Sequence, residues 1–196
     1  EVEDIMRSTA LGGNVRALVR GGWGFVSFND LSGLRRRVEM AVSQARAVGQ
    51  ETSHISLLPP VVDRVEVETG KNGKKDPTGL PLAEKKQLLD QYNEIIWSTP
   101  HLQTSVIGYS DSRKRVVFAN SEGSFIDQER RDVGLRLSAV ARDGGQVQQA
   151  GISVGSRGDF RQIEGLHDEA RRVAQLAVAL LKAPLVKGGE YTVILD

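Results

Sequence analysis

The sequence contains no cysteine, which excludes disulfides, thiolate metal sites and a cysteine nucleophile together, and suits a reducing cytoplasm. Histidine is nearly as scarce: His54, His101 and His167 are scattered along 196 residues. No charge of one sign dominates. With 26 lysines and arginines against 25 aspartates and glutamates, no overall field marks the chain for nucleic acid or a membrane surface. Long apolar runs are missing too; the longest, Leu176 to Leu181, falls far short of the roughly 20 residues that span a bilayer. There is no Asn-x-Ser/Thr acceptor and no signal-peptide pattern. The chain opens on Glu1, with EVEDIMRSTA reading as the tail of a strand. It closes on Glu190 to Asp196, a run rich in β-formers, so both ends read as cut from a longer polypeptide. Its length suits one large or two small domains at roughly 100–200 residues each.

What is present is centred on Thr104 to Val154. Val133, Leu135, Leu137, Ala139 and Ala141 alternate with Arg136, Ser138 and Arg142, the signature of a strand with one wet face. Ser110-Asp111-Ser112, Asn120-Ser121-Glu122-Gly123 and Asp143-Gly144-Gly145 read as three turns between β-rich runs, which describes an antiparallel meander. A sheet apolar on one side needs helices to cover it.

Ahead of the meander, Asn14 to Phe28 predicts a hairpin whose turn is Gly21-Gly22. Ser32 predicts a helix N-cap, followed by Leu34, Val38, Ala41, Val42 and Ala45 at helical spacing and Gly49 at the C-terminal end. Arg35, Arg36 and Arg37 in its first turn read as a solvated face rather than a phosphate contact. From Gln50 to Leu80 periodicity fades, and residues near 68–80 read as a flexible loop whose Gly and Lys do not meet phosphate-loop spacing. Leu88, Leu89, Tyr92, Ile95 and Ile96 predict a second helix, ending before Pro100. After the meander, GSRGDF reads as a loop, Leu166 to Lys182 as a third helix stopped by Pro184, and the end of the chain as a final strand. The expected fold is α+β: an antiparallel sheet of hairpin plus meander, covered by about three helices.

Several motifs lead nowhere. Gly151-Ile152-Ser153-Val154-Gly155 matches the nucleophile elbow G-x-S-x-G, but Ser153 lies in an alternating strand and no helix follows. Arg157-Gly158-Asp159 spells an adhesion tripeptide in a chain without signal peptide or disulfides. Gly21-Gly22-Trp23-Gly24 opens no helix, as a dinucleotide fingerprint must. His167-Asp168-Glu169 has no second histidine at zinc-helix spacing, so no catalytic or metal-ligating residue is assigned in this segment. Arg130, Arg131, Arg136 and Arg142 form a basic strip, which Asp127, Glu129 and Asp132 nearly cancel; cross-strand ion pairs explain it better than nucleic acid.

Three strings taken together resemble the amino-terminal domain of the TldD/PmbA family, once described as modulators of DNA gyrase and regarded as metalloproteases. They are Gly21-Gly22-Trp23-Gly24-Phe25 through Asn29-Asp30-Leu31, Phe118-Ala119-Asn120-Ser121-Glu122-Gly123, and Ala183-Pro184 through Gly188-Gly189-Glu190 to Asp196, the last more TldD-like than PmbA-like. The resemblance implies that residues 1–196 are the front domain of a two-domain cytoplasmic protein whose catalytic carboxy-terminal domain is absent here. In TldD-like members an H-E-x-x-x-H helix follows and its histidines hold zinc; no string in this chain matches it. PmbA-like members lack that motif and pair with a TldD-like subunit.

Unfolded peptide is the expected substrate, with a homodimer or a TldD/PmbA-type heterodimer as the assembly and no membrane partner. A peptidase that takes unfolded chains must hold them extended, and an open sheet edge does this with backbone hydrogen bonds. The strand Gln146 to Val154 and the loop Gly155 to Gly158 are the expected contacts, specifically Gln146, Gln148, Ala150, Ile152, Gly155, Ser156 and Gly158, where glycines and small polar residues permit close approach. A non-catalytic partner subunit and a DNA- or gyrase-associated interaction protein are the competing readings.

Overall fold

The computed structural model describes residues 2–49, 64–68, 75–184 and 187–195. The chain divides into two compact units, residues 1–60 and 61–196.

The first unit is a hairpin with one helix. Strands β1 (Gly13–Val19) and β2 (Gly22–Phe28) pair antiparallel, Val19 opposite Gly22. The turn is Arg20-Gly21, both with positive φ (48° and 78°), one residue earlier than the glycine pair suggests. Gly22 is needed for packing instead. A Cβ there would lie 2.4 Å from the carbonyl oxygen of Ala45, and one on Gly24 would lie 1.8 Å from that of Ala41. These glycines let helix α1 (Leu34–Val48) lie directly on the hairpin through its buried Ala41 and Ala45. Ser32 does not cap α1: Gly33, in the left-handed region, occupies the N-cap, and the Ser32 hydroxyl donates to Asp30. Asp30 also accepts from Arg37 (2.9 Å), and Arg35 pairs with Glu39 (3.2 Å), so two of the three arginines are spent locally. Residues 2–12 form no strand.

The second unit is the expected meander, with longer and fewer strands. β4 (Leu102–Ala119), β5 (Phe125–Asp143) and β6 (Gln146–Arg157) pair antiparallel, β5 in the middle. The turns at Asn120–Gly123 and Gly144-Gly145 stand, but Ser110-Asp111-Ser112 runs on as strand, opposite Gly134, Val133 and Asp132. Local turn propensity yields there because Asp111 is satisfied elsewhere, accepting from Lys85 (2.5 Å) and from the Tyr109 hydroxyl (2.6 Å). The Gln50–Leu80 stretch also hides a strand: β3 (Arg64–Glu68) pairs parallel with Phe125–Glu129 of β5, end to end with β6 along the same side. Residues 69–74 of the expected loop lie outside the described residues. Pro77–Gly79 forms a 3-10 turn with Pro77 buried, capped by Asp76, which accepts from the Thr78 amide at 2.9 Å.

Helices α2 (Leu82–Trp97) and α3 (His167–Leu180) cover one face of this sheet. The alternating set Val133, Leu135, Leu137, Ala139 and Ala141 is buried against Tyr92 and Ile96 of α2 and Ala170, Val173, Ala174 and Ala177 of α3. The alanine stripe brings α3 close to the strands. Tyr92 ties the helices together: its hydroxyl donates to the Ile163 carbonyl (2.6 Å) and accepts from the Leu166 amide (3.2 Å) at the entrance to α3. His167 stands edge-on to the Tyr92 ring at 5.6 Å, a packing role. The expected loop GSRGDF is strand through Arg157; the turn begins at Gly158 (φ 72°) and leads into a 3-10 segment, Phe160–Ile163. Beyond α3, residues 187–195 form no strand, and Ile194 and Leu195 are exposed. The fold is α+β.

Candidate peptide-binding edge and face

The register of β5 and β6 fixes what each face of the sheet offers. In an antiparallel pair, residues directly opposite one another point the same way. Ala139 faces Ala150, Leu137 faces Ile152 and Leu135 faces Val154, all on the helix-covered side. Ser138 faces Gly151, Arg136 faces Ser153 and Gly134 faces Gly155 on the other side. The expected contact residues therefore divide. Ala150 is buried and Ile152 packs against the core, so their side chains are committed, leaving only their backbone groups for a ligand. Gln146 and Gln148 are exposed and share their parity, as does the half-buried Ser156. Gly155 lies on the opposite face, and Gly158 lies past the end of β6.

Among the described residues, β6 has β5 as its only strand partner, and its far side is a sheet edge. Beside that edge, on the side away from the helices, Arg136, Ser138 and residues 149–153 line a shallow depression of about 210 Å³. Its floor is made of small side chains. Ser138 is 3 % exposed although it belongs to the wet face of β5, because Gln149 folds across the strands and donates from Nε2 to its Oγ at 2.7 Å. Gly151 lies against β5 so closely that an added Cβ would meet the Leu137 carbonyl oxygen at 2.9 Å. Arg136 and Ser138 were legible as the wet face from alternation alone. Gln149, Gly151 and Ser153 lie within the expected strand Gln146 to Val154 but were not singled out from it, although carrying the same parity across the Gly144-Gly145 turn selects them.

The rest of the arginine strip is paired. Arg130 bonds Asp132 (2.8 Å), Arg131 bonds Glu129 (2.5 Å) and Asp76 (3.3 Å), and Arg142 donates to the Gly144 carbonyl (3.1 Å). Across the strands Arg113 meets Glu129 (2.7 Å) and Arg115 meets Asp127 (2.9 Å). Hydrogen bonds from Arg113 hold the Glu129 carboxyl below its ordinary range, and those from Arg115 do the same for Asp127. Burial pushes Asp76 upward, but the Thr78 hydrogen bonds and the charges of Arg131 and Arg113 bring it net below. The Tyr109 phenol is pushed up by burial and by its hydrogen bond to Asp111. These are the energetics of cross-strand ion pairs, not of a phosphate-binding surface.

Nowhere among the described residues do three histidine, aspartate or glutamate side chains converge as a metal site would require. The described residues therefore do not gather the ligand set of a catalytic metal. His54 lies outside the described residues, and His101 is the positive-φ residue (69°) ahead of β4, its carbonyl accepting from the Arg142 amide. Ser153 sits inside β6, which runs on as strand to Arg157 instead of turning into a helix, so the G-x-S-x-G string is not a nucleophile elbow. Among the described residues no helix is long and apolar enough to cross a membrane.

The sequence matches the PmbA/TldA metallopeptidase central domain over residues 75–181 and domain 1 of the same metallopeptidases over residues 1–45. A metalloprotease of Synechocystis sp. is 37 % identical over the whole of this chain and 42 % of its own length. A metalloprotease of Methanothermobacter thermautotrophicus is 29 % identical, with the same coverage of 100 % and 42 %. The chain thus spans about two fifths of the curated relatives it matches. In fold it is similar to a proposed modulator of a DNA gyrase from Thermotoga maritima, with a TM-score of 0.70 at 17 % identity over 91 % of this chain and 39 % of that one. With one domain of this kind matched over more than half its residues and a second over the first 45, the chain belongs to the PmbA/TldD metallopeptidase family.

Proposed function

We propose that this chain is the peptide-binding front part of a zinc-dependent metallopeptidase of the TldD type, acting on unfolded peptides or small proteins, with the zinc ligands on polypeptide outside residues 1–196. The observation that carries the reading is the β6 edge, which has no strand partner beyond β5 among the described residues. An extended peptide added there gains main-chain hydrogen bonds irrespective of its sequence, as an enzyme for unfolded chains requires. The relatives named as metalloproteases, each more than twice as long as the part matched, supply the context in which such an edge would serve catalysis. The same reading includes a cytoplasmic protein that works as a homodimer or as a TldD/PmbA-type heterodimer.

The test is a proline scan from Gln146 to Val154 in the full-length protein, with cleavage of an unstructured peptide as readout. Proline removes the backbone donor at each position, so substitutions at outward-pointing amides should raise KM while the fold, followed by circular dichroism, survives. Cleavage unaltered by every folded variant would sink the reading. Zinc content of the full-length protein separates the peptidase from a non-catalytic partner subunit, which would hold none.

A further inference from the structure

Arg136 stands apart from the other arginines of its strand. It is exposed at the centre of the open face, and it has no hydrogen-bond or ion-pair partner among the described residues. Its direct cross-strand neighbours are Gly108 on β4 and Ser153 on β6, and its same-face neighbours along β5 are Gly134 and Ser138. Gly108 carries no side chain to cover Arg136 from the β4 side, and a Cβ built there would touch the Arg136 Cβ at 3.8 Å. On the β6 side, Arg136, Gly151 and Ser153 line the same depression, which spans β5 and β6.

The arrangement has a geometric consequence. A strand added to β6 would lie two strand spacings from β5, roughly 10 Å. Ordinary side chains on β6 would wall Arg136 off from it. Glycine at 151 and serine at 153 leave the route open, so the guanidinium of Arg136 and a long acidic side chain on the added strand can meet over β6. We propose that Arg136 is a specificity-determining residue that selects peptides carrying a glutamate or aspartate on the face of the added strand opposite Gly151 and Ser153. The proposal rests on β6 being the peptide-binding edge. Charge complementarity supports it: the floor around Arg136 offers no carboxylate, while the remaining arginines of the strand already have partners.

The experiment uses the full-length protein and two fluorescently labelled unstructured peptides that differ only in one glutamate or glutamine, with binding followed by anisotropy at low salt. Wild type should bind the glutamate peptide about threefold to fivefold more tightly, the range expected for a partly exposed ion pair. Arg136→Gln should bind the two peptides equally, and Arg136→Glu should prefer a lysine-containing third peptide, with thermal stability unchanged in both. Persistence of the glutamate preference in Arg136→Gln, or its absence in wild type, overturns the assignment to Arg136. Proline variants of β6 run in parallel keep the two ideas apart: if they bind both peptides as wild type does, the edge reading itself fails.

Discussion

The two faces of the four-stranded sheet are built from the same strands and by opposite rules. On one, Val133, Leu135, Leu137, Ala139 and Ala141 are sealed under α2 and α3. On the other, Gly108, Gly134, Gly151, Ser138 and Ser153 surround Arg136, which has no partner among the described residues. The first face is filled by the chain's own helices and its residues answer to packing. The second lacks the bulk to bury itself and its residues answer to whatever is laid on it. A strand with period two allows both, because neighbouring residues take opposite tasks.

This contrast can be broken by substitution. Leu137→Ala, at a fully buried position, should cost about 2–5 kcal/mol in urea unfolding. A loss below about 1 kcal/mol would mean the helix-covered face is not the organising core. Tyr92→Phe removes a hydroxyl with two backbone partners and should cost about 1–3 kcal/mol, with α3 the first element to lose amide protection. On the open face, Ser153→Ala should change stability by no more than about 0.5 kcal/mol. If Ser153→Ala unfolded the protein as Leu137→Ala does, the two faces would not differ in kind.

Acid sharpens the picture at the other end of β5. Glu129 and Asp76 are held below their ordinary values in the folded chain. A depressed carboxylate stabilises the fold fully above its unfolded pKa, and that contribution is lost as pH falls through the folded value. Stability should therefore decline as pH drops below about 4.3, the ordinary glutamate value. Glu129→Gln should flatten part of that slope while leaving the neutral-pH contribution of the apolar core unchanged. An unchanged slope would remove the Glu129 pairs from the account.

Much of this was legible in the sequence because apolar alternation and helical spacing are strong local signals. Leu137 and its neighbours, Tyr92 with Ile96, and the alanine stripe of α3 all follow from period alone. The misses share a cause, which is tertiary override. Ser110-Asp111-Ser112 has turn chemistry, yet Lys85 on α2 satisfies Asp111 and the strand continues. Gly22 looks like half of a turn, but its missing side chain is required by α1. Arg64–Glu68 is too short to announce itself and gains its strand character from pairing with β5. The sequence offered the strand Gln146 to Val154 as an expected contact without fixing which sheet edge is open, and naming Ala150 and Ile152 overlooked that their parity turns their side chains to the core.

The most direct test is amide hydrogen exchange along β6 in the full-length protein, with and without a saturating unstructured peptide. Alternate amides between Gln146 and Val154, those pointing away from β5, should become protected, while amides bonded to β5 are protected in both states. Peptide cleavage that proceeds at its normal rate with no new protection anywhere on β6 would contradict the peptide-binding edge.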